Sequence, residues 1–453
     1  MTVSAATSLR PVPAPRGLEH LRVMERAATY SNAAVYELHQ RYGEVFAFGF
    51  GPIRFIWLVG AEANRFILQE RPEAFRNNPA YRFLQPIGGQ HALISSDEPE
   101  HLRNRRMVQP AFHKRQLEHY LSVIRDHNQT LFQRLPQQQR VDLYATLRPT
   151  VLGMMLEMML GAQSAQHPGL VAAITQMMNF ANMPFLAQQF KLPLPGLPWA
   201  GFVRARRYAD RLIYADIAQR RRLAPQQLAA QPDIISLLLS ASDDKGVTLS
   251  DLELRDQTLG LVSAGFDTTS AAISWTLYNV LRHPQVLKAL EQERQQAPHT
   301  AAMTLADLQA LPYLDSVVKE SLRLYPPAPA GLRYLPEALA FHGYQLPAKS
   351  LVAYSIYATQ RSAAYYREPL HFRPNRWQAK HPEAEQPPPY AYVPFGANSR
   401  YCIGAGMATM IIKMTLLGML EHFSIQGLWQ GEIAETGNTV QPKGGLPVTL
   451  SRR

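Results

Sequence analysis

Phe395-Gly-Ala-Asn-Ser-Arg-Tyr-Cys402-Ile-Gly404 contains the only cysteine in a chain of 453 residues. A solitary cysteine can form no internal disulfide and no cysteine cluster for zinc or iron-sulfur. It leads into Ile403-Gly-Ala-Gly-Met-Ala-Thr-Met-Ile-Ile-Lys-Met-Thr-Leu-Leu-Gly-Met-Leu-Glu-His-Phe423, apolar almost throughout and free of proline, which predicts a buried helix. A cysteine just before a helix lies among free backbone N–H groups at the positive end of the dipole, and both favour thiolate over thiol. Taken alone, the residue supports two readings. One is an inert buried cysteine; the other is a lone thiolate ligand of haem iron, with open positions around the metal.

The neighbouring residues decide between them. The segment resembles the haem-ligand signature of cytochromes P450, Phe-Gly-x-Gly-x-Arg-x-Cys-x-Gly. Phe395, Gly396, Arg400, Cys402 and Gly404 match, while Asn398 stands in place of the second glycine. Asparagine tolerates positive φ better than most residues, so the departure need not disturb the loop. The resemblance implies haem b (iron protoporphyrin IX) as cofactor, Cys402 as proximal iron ligand, Arg400 as a propionate partner and Phe395 as packing beside the sulfur. Backbone N–H groups beyond the cysteine would donate to the sulfur and tune the iron. The implied fold is mainly α with small β sheets, of α+β class: a prism-like single unit with a long central helix, residues 1–453 forming one domain.

Composition agrees with one well-buried soluble protein: 46% of residues are hydrophobic, 18% are charged, and no linker rich in Gly, Ser or charge divides the chain. A net charge of +11 leaves acidic proteins, membrane surfaces and nucleic acid open as partners. Nucleic acid is disfavoured because no recognition motif accompanies the charge. The opening MTVSAATSLRPVPAPRG lacks the apolar segment of a signal peptide and the run of about 20 residues that spans a bilayer. No transmembrane anchor and a cytoplasmic location are expected. Pro11, Pro13 and Pro15 predict an extended segment over residues 1–17.

From the N-terminus, residues 18–42 read as helix. Glu44–Phe50 and Ile53–Val59 read as strands of a hairpin turning at Gly51-Pro52. Family position makes residues 77–94 a loop closing one side of the substrate cavity, with Tyr81, Phe83, Leu84 and Ile87 facing it. In His101-Leu-Arg-Asn-Arg105, the first and last residues share a helical face. The pair resembles the His-x-x-x-Arg by which bacterial P450s bind haem propionates. Arg103, Arg106, Lys114 and Arg115 then remain as spare positive charges. Residues 116–180 read as helical, with Met154, Met155, Met158 and Met159 as core filling. Lys191–Trp199 is a proline-rich loop in the place of the family's lid, and Arg204–Arg222 a basic helix with a solvated polar face.

Ser250-Asp-Leu-Glu253 is a capping box, and no proline follows until Pro284, which predicts a helix roughly 50 Å long at 1.5 Å per residue. Its middle, Ala264-Gly-Phe-Asp267-Thr268-Thr269, is unusual for a buried helix: glycine and threonine are weak formers, and a buried aspartate needs compensation. The run resembles the P450 oxygen-activation motif. The resemblance implies that Ala264 and Gly265 leave room for dioxygen and substrate, that Thr268 donates a hydrogen bond on the oxygen side, and that Asp267 relays protons.

Glu320 and Arg323 share a face of the helix expected over Tyr313–Tyr325. They resemble the family's Glu-x-x-Arg, and Phe372-Arg-Pro-Asn-Arg376-Trp377 its Phe-x-Pro-Glu-Arg-Phe, so that Glu320, Arg323 and Arg376 form a structural network. Asn375 departs from the pattern; Trp377 is expected to matter little. Arg333 is by position a further propionate partner. Ala328, Ala330 and Leu332 would approach the substrate, as would Leu446 on a turn near the C-terminus.

The reading is a haem-thiolate monooxygenase that takes dioxygen and a small lipophilic substrate, terpenoid or fatty-acid-like, and works as a monomer. No Gly-x-Gly-x-x-Gly follows a strand. Electrons are therefore expected from a separate ferredoxin or flavodoxin with its reductase, acidic proteins that would meet the basic patch. The alternatives are a peroxide-driven peroxygenase, a haem-thiolate isomerase, or a non-catalytic haem sensor; none makes much use of Asp267 and Thr268.

Overall fold

In the computed structural model, the described residues are 9–453 apart from 30, 51–52, 168, 184–187, 189–190, 193 and 437–438. The first eight residues, the Gly51-Pro52 turn and Pro193 of the expected lid therefore lie outside the described residues. Backbone contacts divide the chain into two compact units. The first comprises Met1–Phe83, Ala328–His371 and Gln386–Tyr401; the second comprises Leu84–Pro327, Phe372–Glu385 and Cys402–Arg453.

The first unit begins with helices α1 (Gly17–Thr29) and α2 (Ser31–Tyr42). Its main sheet contains β1 (Val45–Phe50), β2 (Ile53–Leu58), β3 (Ala330–Leu335) and β4 (Ser350–Ser355), in the spatial order β1-β2-β4-β3. β1 and β2 are antiparallel, with Phe50 opposite Ile53, as the hairpin reading expects. β2 runs parallel to β4, and β4 antiparallel to β3. Alternation sorts the side chains: Val45, Ile56, Leu58 and Val352 pack with Phe66, Ile67 and Phe75, while Phe46 and Phe48 pack against Val35 and Leu38 of α2. Pro11 pairs in parallel with Gln345, so the proline-bearing segment is extended at that point.

The second unit holds the long helices: α3 (Glu100–Val108), α4 (Lys114–Arg134), α5 (Leu143–Ala165), α6 (Leu170–Ala181), α7 (Pro198–Arg220), α8 (Asp251–Arg282), α9 (Pro312–Leu324) and α10 (Ala405–His422). α8 begins at the expected capping box, where Ser250 N donates to Glu253 Oε2 at 2.8 Å and Glu253 N donates to Ser250 Oγ at 3.2 Å. Four of its buried hydroxyls find a carbonyl one turn back, Thr258 donating to Leu254, Ser270 to Phe266, Ser274 to Ser270 and Thr276 to Ala272, while Ser263 Oγ has no such partner among the described residues. Met154, Met155, Met158 and Met159 of α5 are buried core residues.

The structure departs from the sequence reading at several points. Arg140–Asp142 is a strand, pairing with Pro447–Thr449, inside a stretch read as continuous helix. The expected loop over 77–94 contains the turns Arg82–Leu84 and Gln85–Gly88. Pro198 and Trp199 belong to the first turn of α7, where proline's missing N–H costs nothing. α7 is not simply solvated along its arginines. Arg220 is buried against Asp216 and Asp233, and Arg206 Nη1 donates to the carbonyls of Pro86 and Ile87. Among the described residues, no helix is long and apolar enough to cross a membrane.

Candidate functional site

In the first unit, the loop before the cysteine depends on two left-handed positions, Gly396 at φ 68° and Asn398 at φ 53°. Asn398 serves where the signature has glycine because its amide is well used: Nδ2 donates to Leu68 O at 2.9 Å and to Tyr390 Oη at 3.1 Å. The rings of Phe395 and Tyr401 lie 6.4 Å apart.

In the second unit, Cys402 opens the turn into α10, its carbonyl accepting from Ala405 N at 3.3 Å. Protein crowds the thiol enough that burial, the largest influence, pushes its pKa up; the Gly404 N–H and the Arg105 charge pull the other way without overcoming it. The expectation that the helix end favours thiolate is thus outweighed by burial. Yet Cys402 stays exposed to solvent, which places it in a recess rather than in the core. Cys402 is the group that would hold a metal cation, whose charge would favour the thiolate.

Beside it in charge terms is Arg105 on α3. Burial draws its pKa down, opposed by the sulfur of Cys402. No carboxylate pairs with it among the described residues. A half-buried guanidinium without a counter-ion is costly, and a ligand carboxylate is the chemistry that would relieve it. His101, one turn earlier, is buried, with Nδ1 3.1 Å from Glu98 Oε1. Arg103 and Arg106 are not the spare charges expected. Arg103 is bound by Asp243 at 2.9 Å and Glu253 at 2.6 Å, and Arg106 reaches Asp244 at 3.1 Å. Lys114 and Arg115 remain exposed.

α8 is buried on all sides from Thr269 to Val280, but Ala264 is exposed and Leu261, Gly265 and Thr268 are half-buried. These four residues share one helical face. Thr268 Oγ1 donates to Ala264 O at 2.7 Å. Gly265 also has a packing reason: a Cβ there would stand 2.7 Å from Met155 Sδ, so its smallness admits α5. Asp267 is buried, its carboxylate accepting from Arg148 Nε at 3.0 Å and Asn182 Nδ2 at 2.6 Å. The Arg148 guanidinium lies over the rings of Tyr144 and Phe266, 5.8 and 5.6 Å from their centroids. Sequence reasoning missed Arg148 and Asn182. The buried aspartate signalled that a partner must exist, and nothing local named it.

Glu320, Arg323 and Arg376 are brought together as expected, all three buried. Glu320 accepts from Arg323 Nη2 at 2.8 Å, Arg376 Nε at 2.9 Å and Arg373 N at 2.9 Å. Burial pushes its pKa up most, but Arg323, Arg376 and the Arg373 N–H together hold it below the usual carboxylate range. Trp377 matters more than expected, since its indole N–H donates to Glu320 Oε2 at 2.8 Å. Glu385 adds a further contact to Arg376, and Asn375 Nδ2 donates to Glu383 at 3.3 Å.

In the first unit, Arg333 is buried, its Nη1 donating to Leu332 O at 2.7 Å and its guanidinium 5.4 Å from the Tyr354 ring centre. Arg400 is half-buried. Tyr81 Oη accepts the Leu332 N–H at 3.0 Å, and the Tyr81 and Phe83 rings stack at 6.2 Å. Ala328 is exposed, Ala330 and Leu332 half-buried. Leu446 is fully buried, its N–H donating to the Asp142 carboxylate and its carbonyl accepting from Leu143 N, so it offers no surface to a ligand, contrary to the expected role. The residues fit haem: an accessible single thiol, a desolvated arginine lacking an anion, and an open strip just before the fully buried part of α8.

The cytochrome P450 family model matches residues 15–444. A Mycobacterium tuberculosis (strain ATCC 25618 / H37Rv) chain carrying the name cytochrome P450 139 is 31% identical over 398 residues, 87% of this chain and 90% of its own. A Synechocystis chain carrying the name cytochrome P450 120 is 28% identical over 423 residues, 93% of each. Among solved structures, retinoic-acid-bound cyanobacterial CYP120A1 matches with a TM-score of 0.87 at 26% identity, over 98% of this chain and 100% of that one.

Proposed function

The chain belongs to the cytochrome P450 family, with haem b as cofactor and monooxygenase activity; on that premise we propose that it oxygenates a lipophilic small molecule of terpenoid or fatty-acid type, using electrons from a separate ferredoxin or flavodoxin and its reductase. The observation that carries the substrate class is the open strip Leu261, Ala264, Gly265 and Thr268, apolar or small but for one hydroxyl. The ligand of the CYP120A1 structure, retinoic acid, is an isoprenoid of that chemistry. The proposed setting is the cytoplasm of a bacterium, on the ground that the curated relatives are bacterial, with residues 1–453 acting as one monomeric domain.

When bound, thiolate-ligated haem supplies dioxygen activation and insertion of one oxygen atom into an unactivated C–H bond, with two electrons and two protons consumed. Cys402 would hold the iron, and the Gly404 N–H that already lowers the thiol pKa would steady the sulfur's charge. His101, Arg105, Arg333 and Arg400 would take the haem carboxylates, as the family resemblance implies, with Phe395 beside the sulfur. Thr268 holds a hydroxyl on the open strip and can hand a proton outward only by giving up its bond to the Ala264 carbonyl. Asp267 accepts one bond on each oxygen, from Arg148 and Asn182, which orients the carboxylate and leaves a further lone pair on each oxygen for the proposed proton relay. Ala328, Ala330, Leu332 and Phe83 are the proposed neighbours of the substrate, and the exposed Lys114 and Arg115 the proposed contact for an acidic electron donor.

The test is a spectral titration of purified protein with retinoic acid and with palmitic acid, followed by product analysis under NADPH with a ferredoxin chain and, separately, under peroxide. A low-to-high-spin shift with either lipid and product only under the redox chain is expected. Product under peroxide alone would sink the electron-donor reading; no spin shift with either lipid would sink the substrate class.

A further inference from the structure

We propose that Tyr81 is a positioning residue for Arg333, acting through the backbone of Leu332, rather than a wall of the substrate pocket. The inference rests on the reading of Arg333 as the partner of a haem carboxylate.

β3 is an outer strand of its sheet. In an antiparallel pair, every second residue turns its N–H and C=O away from the neighbouring strand, and on an outer strand those groups need other partners. Tyr334 meets that need with the backbone of Arg76, exchanging two bonds of 2.8 Å. Leu332, two residues earlier, has the same orientation, but both its groups are filled by side chains. Its N–H donates to Tyr81 Oη at 3.0 Å, and its carbonyl accepts from Arg333 Nη1 at 2.7 Å. The peptide that fixes the guanidinium is therefore itself fixed by the phenol oxygen.

Neighbouring contacts make the arrangement rigid. Tyr354 lies where Gly331 has no side chain, since a Cβ there would stand 2.1 Å from the ring, and the Arg333 guanidinium lies over that same ring. Tyr81 is held by its own N–H, which donates to Asn77 O at 2.9 Å, and by its stack on Phe83. Two tyrosines thus constrain the successive residues Gly331, Leu332 and Arg333. The acceptor side of the Tyr81 hydroxyl is thus committed to the Leu332 N–H.

The test uses full-length holoprotein carrying Tyr81→Phe, which keeps the ring and removes the acceptor. Hydrogen exchange in peptides covering residues 330–335 should quicken by about five- to thirtyfold at the Leu332 amide, the effect of losing one buried hydrogen bond. Haem transfer to excess apomyoglobin should also quicken, and Tyr81→Phe should add nothing in an Arg333→Ala background, because one residue acts through the other. The affinity for clotrimazole, a bulky azole that fills the space above the haem, should not move. Unchanged exchange, additive effects on haem transfer, or a changed azole affinity with unchanged exchange would each overturn the proposal. If Arg333→Ala alone leaves haem transfer unchanged, the carboxylate reading of Arg333 has failed, and the exchange result still decides the Tyr81 contact.

Discussion

Arg105→Leu should loosen the haem without loosening the fold. In the chain, Arg105 is a half-buried guanidinium whose pKa burial has drawn down, with no carboxylate beside it. Its charge is therefore unrewarded until an anion arrives. A hydrogen bond to a charged group contributes about 1.5–3 kcal/mol, and every 1.4 kcal/mol is about tenfold in an equilibrium constant. The partial exposure of Arg105 argues for the lower end, so haem should leave the variant about tenfold faster. Arg105→Lys, which keeps the charge but loses the planar fork, should fall between variant and wild type.

The assay is haem transfer from holoprotein to excess apomyoglobin, followed at the Soret band, with Arg106→Leu as control because Arg106 has its own exposed partner in Asp244. Transfer from Arg105→Leu within twofold of wild type would refute the reasoning. So would an equal acceleration in the Arg106 control, since the effect would then be general charge rather than an unpaired site.

Three further outcomes are expected. Thr268→Ala should keep haem and fold but consume NADPH with more peroxide and less product, whereas Asn182→Ala, which frees one Asp267 oxygen, should change the solvent isotope effect on turnover rather than substrate affinity; unchanged coupling in the first would exclude the hydroxyl from proton delivery. Glu320→Gln should cost about 3–5 kcal/mol at neutral pH, read as a lower urea midpoint, by removing the buried negative charge that Arg323 and Arg376 share. Because the folded pKa of Glu320 is depressed, its contribution is present above the unfolded carboxylate value of about 4.3 and is lost as pH falls through the folded one, so the gap from wild type should narrow only in acid. Lys114→Glu with Arg115→Glu should slow reduction by an acidic ferredoxin and flatten its salt dependence, with the spin-state response to substrate unmoved; equal rates at low salt would place the donor elsewhere.

What the sequence made legible is what short separations control. The capping box at Ser250 and Glu253, the left-handed tolerance of Asn398 and the apolar run of α10 each depend on neighbours within a few residues, and each stands as read. The partners of the buried charges were not legible. Arg148 is 119 residues from Asp267, and Asp243 is 140 from Arg103, so periodicity carries no trace of either contact. Gly265 shows a second kind of ambiguity, because a small residue permits either open space or a closer neighbour, and only the position of Met155 tells which.

The same logic separates structural from ligand-directed charge. A charged side chain drawn out of water calls for an opposite partner, and folding supplies it for the buried Asp267 and Glu320 and the half-buried Arg103 from distant parts of the chain. For Arg105 folding supplies none among the described residues, although the cost of desolvation has already been incurred. A requirement that the folded chain leaves unmet has to be met from outside it, by an anion that arrives with the cofactor. The arginine without a partner is thus more informative about function than the better-bonded ones around it.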